Sequence, residues 1–547
     1  MSCRFWMLFL LFGCLTNRSL SQPEAKLPPP DWFVKDPATD HVQGLSSERA
    51  YQLLLKDKSS KTVIVAVVDT GVDIDHEDLK NVIWVNEDEI PGNGVDDDKN
   101  GYVDDVHGWN FIGGKTGNVN EDTYEVTREY ARLKKKFENS PLSFGEGKGV
   151  RPDEFSRYLD FKKKWEAKKA ENADQYALVS RIYSNAIFSL DTLKKFLKSE
   201  EVSASQVASI QSNDPVILFA KSFMRNFFAS LGEVSTEERL AELKDAYDLY
   251  KSGYELSSNP DFDPRTLVGD NYLNTSERFY GNNEVKPLPG PVGDHGTHVA
   301  GIIAADRNNN IGIKGIANNV KIMAIRAVPN GDERDKDIAN AIYYAVDNGA
   351  RIINLSCGKT ESPQKDAVDK AVQYAFKKGV LIVHAAGNES IDNDKITHYP
   401  TPVYTNGKEA KNWINVGASS WGSGKDFIGS FSNYGKKTVD VFSPGVAIYS
   451  TVPGQGYRNH DGTSMACPAV AGVAAMLMSY FPEFSALEIK NIILESVRKF
   501  DGLRVLRPGT QTLVEFDQLS KTGGIVNAYD AVQMALKKME TKKTGKR

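Results

Sequence analysis

Three short stretches of this chain set an acid, an imidazole and a hydroxyl at places where backbone geometry can make side chains reactive. Asp69-Thr-Gly-Val-Asp73 follows directly on the apolar run Val63–Val68; taken alone, Asp-x-Gly after a strand is ordinary turn chemistry. His295-Gly-Thr-His-Val-Ala-Gly301 opens a helical pattern of small residues, where a histidine also serves as a cap or a packed ring. Gly462-Thr-Ser-Met-Ala-Cys-Pro468 sets Ser464 at the entrance of a long apolar helix, where backbone N–H groups and the helix dipole favour negative charge. A fourth stretch, Asn93 to Asp105, carries Asp96, Asp98 and Asn100 at alternate positions, then Gly101, Tyr102 and Asp104. Alternating oxygen side chains with glycine at the sixth place are how an EF-hand-type loop wraps Ca²⁺. The expected ligands are Asp96, Asp98, Asn100, Tyr102 and Asp104. His107 stands where the bidentate glutamate belongs and the flanking helices are missing, so an acidic surface turn is the alternative.

For such side chains to meet, distant segments must reach one place. Thr62-Val-Ile-Val-Ala-Val-Val68 is continuous, apolar and β-branched, like a strand covered on both faces. Similar runs recur at Val320–Ala327, Arg351–Leu355, Val380–Ala385 and Trp413–Ala418, with helical patterns at Asp335–Val346, Gln364–Phe376 and Ser464–Tyr480. The alternation predicts an α/β fold, a doubly wound, mostly parallel sheet with helices on both faces. Ligand sites in such sheets lie at the carboxyl ends of the strands. Between 117 and 288 the alternation stops. Tyr176, Val179, Tyr183, Ala186, Leu190, Leu193 and Leu197 fall three or four apart there, giving one apolar stripe. Leu240, Leu243, Tyr247 and Tyr250 repeat the spacing behind Ser235 and Glu238, which are placed as a capping box. An inserted all-α subdomain is therefore expected. Lys134-Lys-Lys and Lys162-Lys-Lys are interleaved with acids and read as solvated helix faces.

Taken together and in this chain order, the Asp69, His295 and Ser464 motifs resemble the subtilisin-like serine peptidases, whose triad runs Asp, His, Ser. The resemblance spans about 60–112 and 290–535 and leaves out the helical insertion. It implies that Asp69 fixes the tautomer of His295, that His295 is the general base, and that Ser464 is the nucleophile. Val380-Leu-Ile-Val-His-Ala-Ala-Gly-Asn-Glu389 matches the family segment that turns an asparagine amide towards the oxyanion, which implies that role for Asn388. A glycan on the nominal sequon Asn388-Glu-Ser390 would block that site. The resemblance also implies that Ser356-Cys-Gly358 pairs with an extended substrate, and that Ala386 and Gly387 line the pocket for the side chain before the cut bond. Cys357 replaces the more usual Leu or Phe, and Ala469 a frequent histidine. Structural calcium is common in the family; zinc is not expected, because the triad accounts for His295 better than a pairing with His298 does.

Other features bound the reading. Charges of 67 basic and 72 acidic residues leave a net −5, which gives no basic field for nucleic acid. Apolar content of 40% and charged content of 25% are globular values. Four cysteines in 547 residues exclude a disulfide scaffold, and Cys357 and Cys467 are expected as free thiols. The run Phe5 to Leu15 behind Arg4 has the length of a signal-peptide core and is too short to span a bilayer. Leu11-Phe-Gly-Cys14 resembles a bacterial lipobox, with membrane attachment through a lipidated Cys14; cleavage around Ser19 to Gln22 is the alternative. The expected division is a leader over 1–21, an arm over 22–60, a peptidase domain over 61–116 and 289–535, the insertion over 117–288 and a basic tail over 536–547. Too little chain precedes Val63 for the inhibitory propeptide of most secreted members, so the insertion is expected either to limit access to the cleft or to be a stabilising or partner-binding elaboration. The expected activity is that of an exported endopeptidase, secreted, periplasmic or lipid-anchored. It would act on proteins or peptides with Ca²⁺ as structural ion and no organic cofactor. The rival is a catalytically silent surface-binding or adhesion protein on the same fold. An esterase is disfavoured, because Gly-Thr-Ser-Met-Ala is no Gly-x-Ser-x-Gly elbow.

Overall fold

The computed structural model describes residues 28–138, 152–230 and 235–544. The expected leader, with Cys3 and Cys14, lies outside the described residues. Two compact units emerge, one of Val126–Phe262 and one combining Pro28–Glu125 with Asp263–Arg547.

The larger unit is built on a nine-stranded sheet. Its strands are β1 (Val63–Asp69), β2 (Gly108–Asn110), β3 (Val320–Arg326), β4 (Ile352–Leu355), β5 (Leu381–Ala385), β6 (Trp413–Ser419), β7 (Val441–Pro444), β8 (Arg498–Lys499) and β9 (Gly524–Ile525). Their order across the sheet is β8-β9-β7-β6-β5-β4-β1-β3-β2. Only the β8–β9 pair is antiparallel. Every residue of β4, β5 and β6 is buried, as β-branched runs covered by helices on both faces must be. Those helices are α6 (His295–Ala304), α7 (Asp335–Asp347), α8 (Lys365–Lys377), α9 (Thr463–Tyr480), α10 (Ala486–Glu495) and α11 (Ala528–Thr544). Among the described residues α9 alone is long and apolar enough to cross a membrane, yet 94% of that stretch is buried in the fold. From β1 the chain moves to β3 and β2 on one side and to β4 on the other. The crevice at this reversal, above the carboxyl ends of β1 and β4, is where open α/β sheets bind ligands.

The N-terminal arm packs on this unit: Trp32, Phe33 and Val34 are buried, and the Trp32 indole donates to the Ala447 carbonyl at 3.0 Å. The basic end continues α11 to Thr544, with Lys538 paired to Glu495 and Lys542 to Glu488.

The smaller unit is helical. The element α1 (Glu125–Phe137) leads into it, followed by α2 (Pro152–Leu197), α3 (Ala204–Ser209), α4 (Pro215–Ala229) and α5 (Thr236–Ser252). Its core gathers Val179, Ala186 and Leu193 from the expected stripe with Ile182, Ile217, Met224, Phe227 and Leu243. The Ser235 hydroxyl accepts the Glu238 N–H at 3.1 Å, capping α5. The expected limits of 117 and 288 were too wide. Residues 263–288 belong with the sheet, since Tyr280 joins its core and the Asn282 N–H donates to the Asn110 carbonyl beside β2. A segment without strand pattern need not be helical; here irregular chain is held by buried side-chain anchors.

Ile382, fully buried on the central strand β5, tests how far the larger unit depends on this sheet. Ile382→Ala should destabilise it by about 2–5 kcal/mol in urea denaturation, the range for deleting buried methyls. A loss below about 1 kcal/mol would mean the sheet repacks around the cavity.

Candidate active site

β1 ends at Asp69, which is 1% exposed, and its Oδ1 lies 2.7 Å from Nδ1 of His295. The same oxygen accepts the Thr70 N–H at 2.8 Å, while Oδ2 is buried without a partner among the described residues. Arg326, opposite Asp69 on β3, donates to the Thr70 carbonyl at 3.0 Å and fixes the turn. It also donates to Val119 and Asn110, and burial pulls its pKa down to about 10. α6 is brought close because Gly296 follows His295: a Cβ there would lie 2.2 Å from the Gly71 carbonyl. The Gly296 N–H donates to the Thr70 hydroxyl at 3.2 Å. Burial disfavours the His295 imidazolium, but the charge of Asp69 and its hydrogen bond outweigh that, and the pKa stands above the ordinary imidazole value.

Ser464 is the second residue of α9 and 9% exposed. Its hydroxyl donates to the Ser356 carbonyl at 3.1 Å, and the Ser356 hydroxyl donates back to the Ser464 carbonyl at 2.9 Å. Asn388 follows β5. One atom of its amide meets both the N–H and the hydroxyl of Thr463 at 2.9 Å. A backbone N–H can only donate, so that atom is the oxygen, and the NH₂ is the end left for another acceptor. The Thr463 hydroxyl in turn accepts the Gly387 N–H at 3.1 Å.

Residues 60–513 match the model of the subtilase family. The chain belongs to the subtilase family.

Its relatives cover part of it. Over 298 residues it is 38% identical to the thermophilic serine proteinase of Bacillus sp. (strain AK1), which is 52% of this chain and 64% of that protein. Thermitase of Thermoactinomyces vulgaris is 37% identical over 278 residues, 51% of this subtilase and 85% of thermitase. Among solved structures, one described as proteases from Pseudoalteromonas arctica PAMC 21717 is 30% identical with a TM-score of 0.36, covering 44% of this chain and 70% of that one.

The expected substrate segments lie around Ser464. Ser356, Cys357 and Gly358 leave the end of β4, and Gly387 precedes Asn388 in the left-handed region, with φ +105°. Between the two glycines sits His398: a Cβ on Gly358 would fall 2.1 Å from its ring, and one on Gly387 2.9 Å from its Nε2. Burial lowers the His398 pKa. Glu389 accepts from the Asn433 amide at 2.7 Å and lies 3.8 Å from His398; burial opposes its charge, but His398 and Asn433 keep its pKa below the usual carboxylate range. One expectation is corrected. Ala386 is fully buried in a cluster with Phe427, Phe442 and Phe516, because its side chain points into the core. Cys357 and Cys467 are free, and burial pushes both thiols up, which keeps them protonated. Thr463 and Glu389 stand inside motifs already quoted, but His398 and Asn433 carried no local signal and became visible only through the loops that fold back on the glycines.

In the acidic loop, Asp96 and Asp98 come together with Glu89, one oxygen from each within 4.8 Å of the others. Glu89 is 5% exposed; its Oε1 accepts the N–H groups of Asp97 and Asp98, while Oε2 is buried without a partner among the described residues. Three carboxylates this close repel one another, so a hard divalent cation fits this donor set. Asn100 is adjacent, its amide donating to Asp98 and Asp105. Asp104 is placed differently. Both Asp104 oxygens accept N–H groups, from Asn93 and Gly94, since its positive φ turns it back on the loop. The Tyr102 ring packs edge-on against Trp109, Phe111 and Tyr344, because an aromatic side chain gains more from that core than the loop surface offers. Glu89 was missed in the sequence because it precedes the alternating run.

Proposed function

We propose that this subtilase is an exported serine endopeptidase, hydrolysing peptide bonds of proteins or peptides through an acyl-enzyme on Ser464. The observation that carries the reading is the 2.7 Å Asp69–His295 hydrogen bond at the topological switch point, with Ser464 at the start of α9 and its hydroxyl on the Ser356 carbonyl at the end of the adjacent strand β4. Asp69 holds the Nδ1–H tautomer of His295, which leaves Nε2 as base. For attack, the Ser464 hydroxyl exchanges its Ser356 acceptor for Nε2, which takes the proton as Oγ bonds to the substrate carbonyl carbon. The resulting oxyanion accepts from the Asn388 NH₂ and the Ser464 N–H; removing such a donor in subtilisin costs about 10²–10³ in turnover. His295 then protonates the leaving amine, and water, deprotonated by the same ring, releases the acid. The apolar run behind Arg4 supports export, and the mass of the mature N-terminus distinguishes cleavage before a lipidated Cys14 from cleavage near Gln22. Labelling with a fluorophosphonate probe tests the central step: the wild type labels and Ser464→Ala does not. An unlabelled, folded wild type would leave a silent binding protein as the reading.

The raised His295 pKa fixes the sign of two pH effects. Activity needs neutral imidazole, so kcat/KM should rise with pH through a value above about 6.5. Stability runs the other way: a pKa raised on folding stabilises below the unfolded value, and that contribution is lost as pH rises through the folded one. Asp69→Asn should move the acid limb downward while lowering kcat by about 10⁴. An unmoved limb would assign the titration to another group.

We further propose that Glu89, Asp96 and Asp98 hold a structural Ca²⁺, which would neutralise the loop when bound. Dialysis against a calcium chelator should lower Tm and added Ca²⁺ restore it. In Glu89→Gln the gap between the two conditions should shrink, since one charged ligand is gone. Equal gaps in both proteins would place the ion elsewhere.

A further inference from the structure

Lys359 follows the segment Ser356–Gly358 and is 4% exposed. Its ammonium reaches Glu125 Oε2 at 2.6 Å, the Glu333 carbonyl at 2.7 Å and Asp335 Oδ1 at 2.9 Å. Its backbone pairs with Tyr399, N–H to carbonyl in both directions at 2.9 and 2.8 Å, one residue from the His398 ring that sits between Gly358 and Gly387. The ammonium's partners are themselves anchored. The Glu125 N–H donates to Asp332 at 2.8 Å, and Asp335 accepts the Gln364 N–H and the Ser362 hydroxyl at 2.8 and 2.9 Å. Glu125 is the first residue of α1, the helix that leads into the insertion.

A buried ion pair is weak evidence for stability, because desolvation consumes most of the Coulomb gain. What it does supply is position: three acceptors from two separate segments fix one ammonium, and through it the backbone at 359. We propose that Lys359 is a positioning residue that holds Ser356–Gly358 in the extended geometry a substrate strand pairs with, by tying that segment to the root of α1 at Glu125. The inference rests on the peptidase reading above and adds to it a residue outside the motifs that carry the resemblance. Pairing with a strand is backbone hydrogen bonding, so a shifted segment weakens binding of extended peptides. Chemistry at Ser464 and His295 does not use Lys359.

The test compares full-length Lys359→Met, Lys359→Arg and Glu125→Gln with wild type in three assays: fluorophosphonate labelling rate, hydrolysis of a single-residue nitrophenyl ester, and hydrolysis of a tetrapeptide anilide. In Lys359→Met, KM for the tetrapeptide should rise about tenfold, as for one or two misplaced hydrogen bonds, while labelling rate and ester hydrolysis stay within about twofold. Lys359→Arg should recover part of the loss. Glu125→Gln should shift KM the same way by about threefold, and it carries the test alone if Lys359→Met fails to fold. Labelling, ester and tetrapeptide rates falling together would mean a merely structural role and overturn the proposal, as would an unchanged tetrapeptide KM. A wild type that neither labels nor cleaves would instead sink the peptidase reading.

Discussion

Register at the parallel edge is the constraint on which the site depends. Val68 of β1 stands beside Leu355 of β4, and Leu355 beside His384 of β5. Three adjacent strands therefore release their chains at one level: Asp69 from the first, Ser356 from the second and the Ala386–Asn388 turn from the third. Side chains alternate faces with period two, so a slip of one residue in any pair would turn one of these groups to the wrong face. Two helix starts complete the edge. α6 brings His295 to Asp69, and α9 brings Ser464 to Ser356, each at the end where unpaired N–H groups favour negative charge.

Around that edge hydrogen bonds hold each of the motif side chains in place. His295 spends Nδ1 on Asp69. Asn388 has its oxygen held twice by Thr463, which also holds the Gly387 N–H. Ser464 is tied to Ser356 through both its hydroxyl and its carbonyl. Charge follows the same logic. Asp69 overcomes the burial of His295 and raises its pKa, whereas the buried His298 and His384 have no carboxylate in hydrogen-bonding contact among the described residues and burial pulls their pKa values down.

How much of this was legible in the sequence depended on whether the signal was local. β1 and β3 to β6 could be read directly because strands covered on both faces are continuous apolar runs. β2, β8 and β9 are too short to carry a pattern. Asp69, His295, Ser464 and Asn388 lie in motifs whose form follows from a local need, such as a glycine where a Cβ would strike the Gly71 carbonyl. Glu89, His398 and Lys359 have no such form. Each is defined by what a distant loop lays against it, and a single sequence does not show which loops meet. The alternating acids were legible as a cluster, but Asp104 shows that spacing fixes where a residue sits in a loop, not which way its side chain turns.

The roots of the insertion explain how a sheet tolerates a large interruption between β2 and β3. Closing a long loop adds entropy cost only slowly with length, so length is not the difficulty. The difficulty is that two chain ends must stay in place while the strands beside them keep register. Apolar contacts alone would let those ends slide, since they are not directional. Ion pairs with several acceptors do not slide. On the outgoing side Asp122 takes a two-pronged contact from Arg334, and Glu125 meets Lys359. On the returning side Asp263 also meets Arg334, while Arg265 grips Asp337 with both terminal nitrogens. All four contacts converge on the stretch that starts α7 or on the residue after Gly358. The sheet thus fixes both roots from one buried cluster, and the same cluster borders the segment expected to hold substrate.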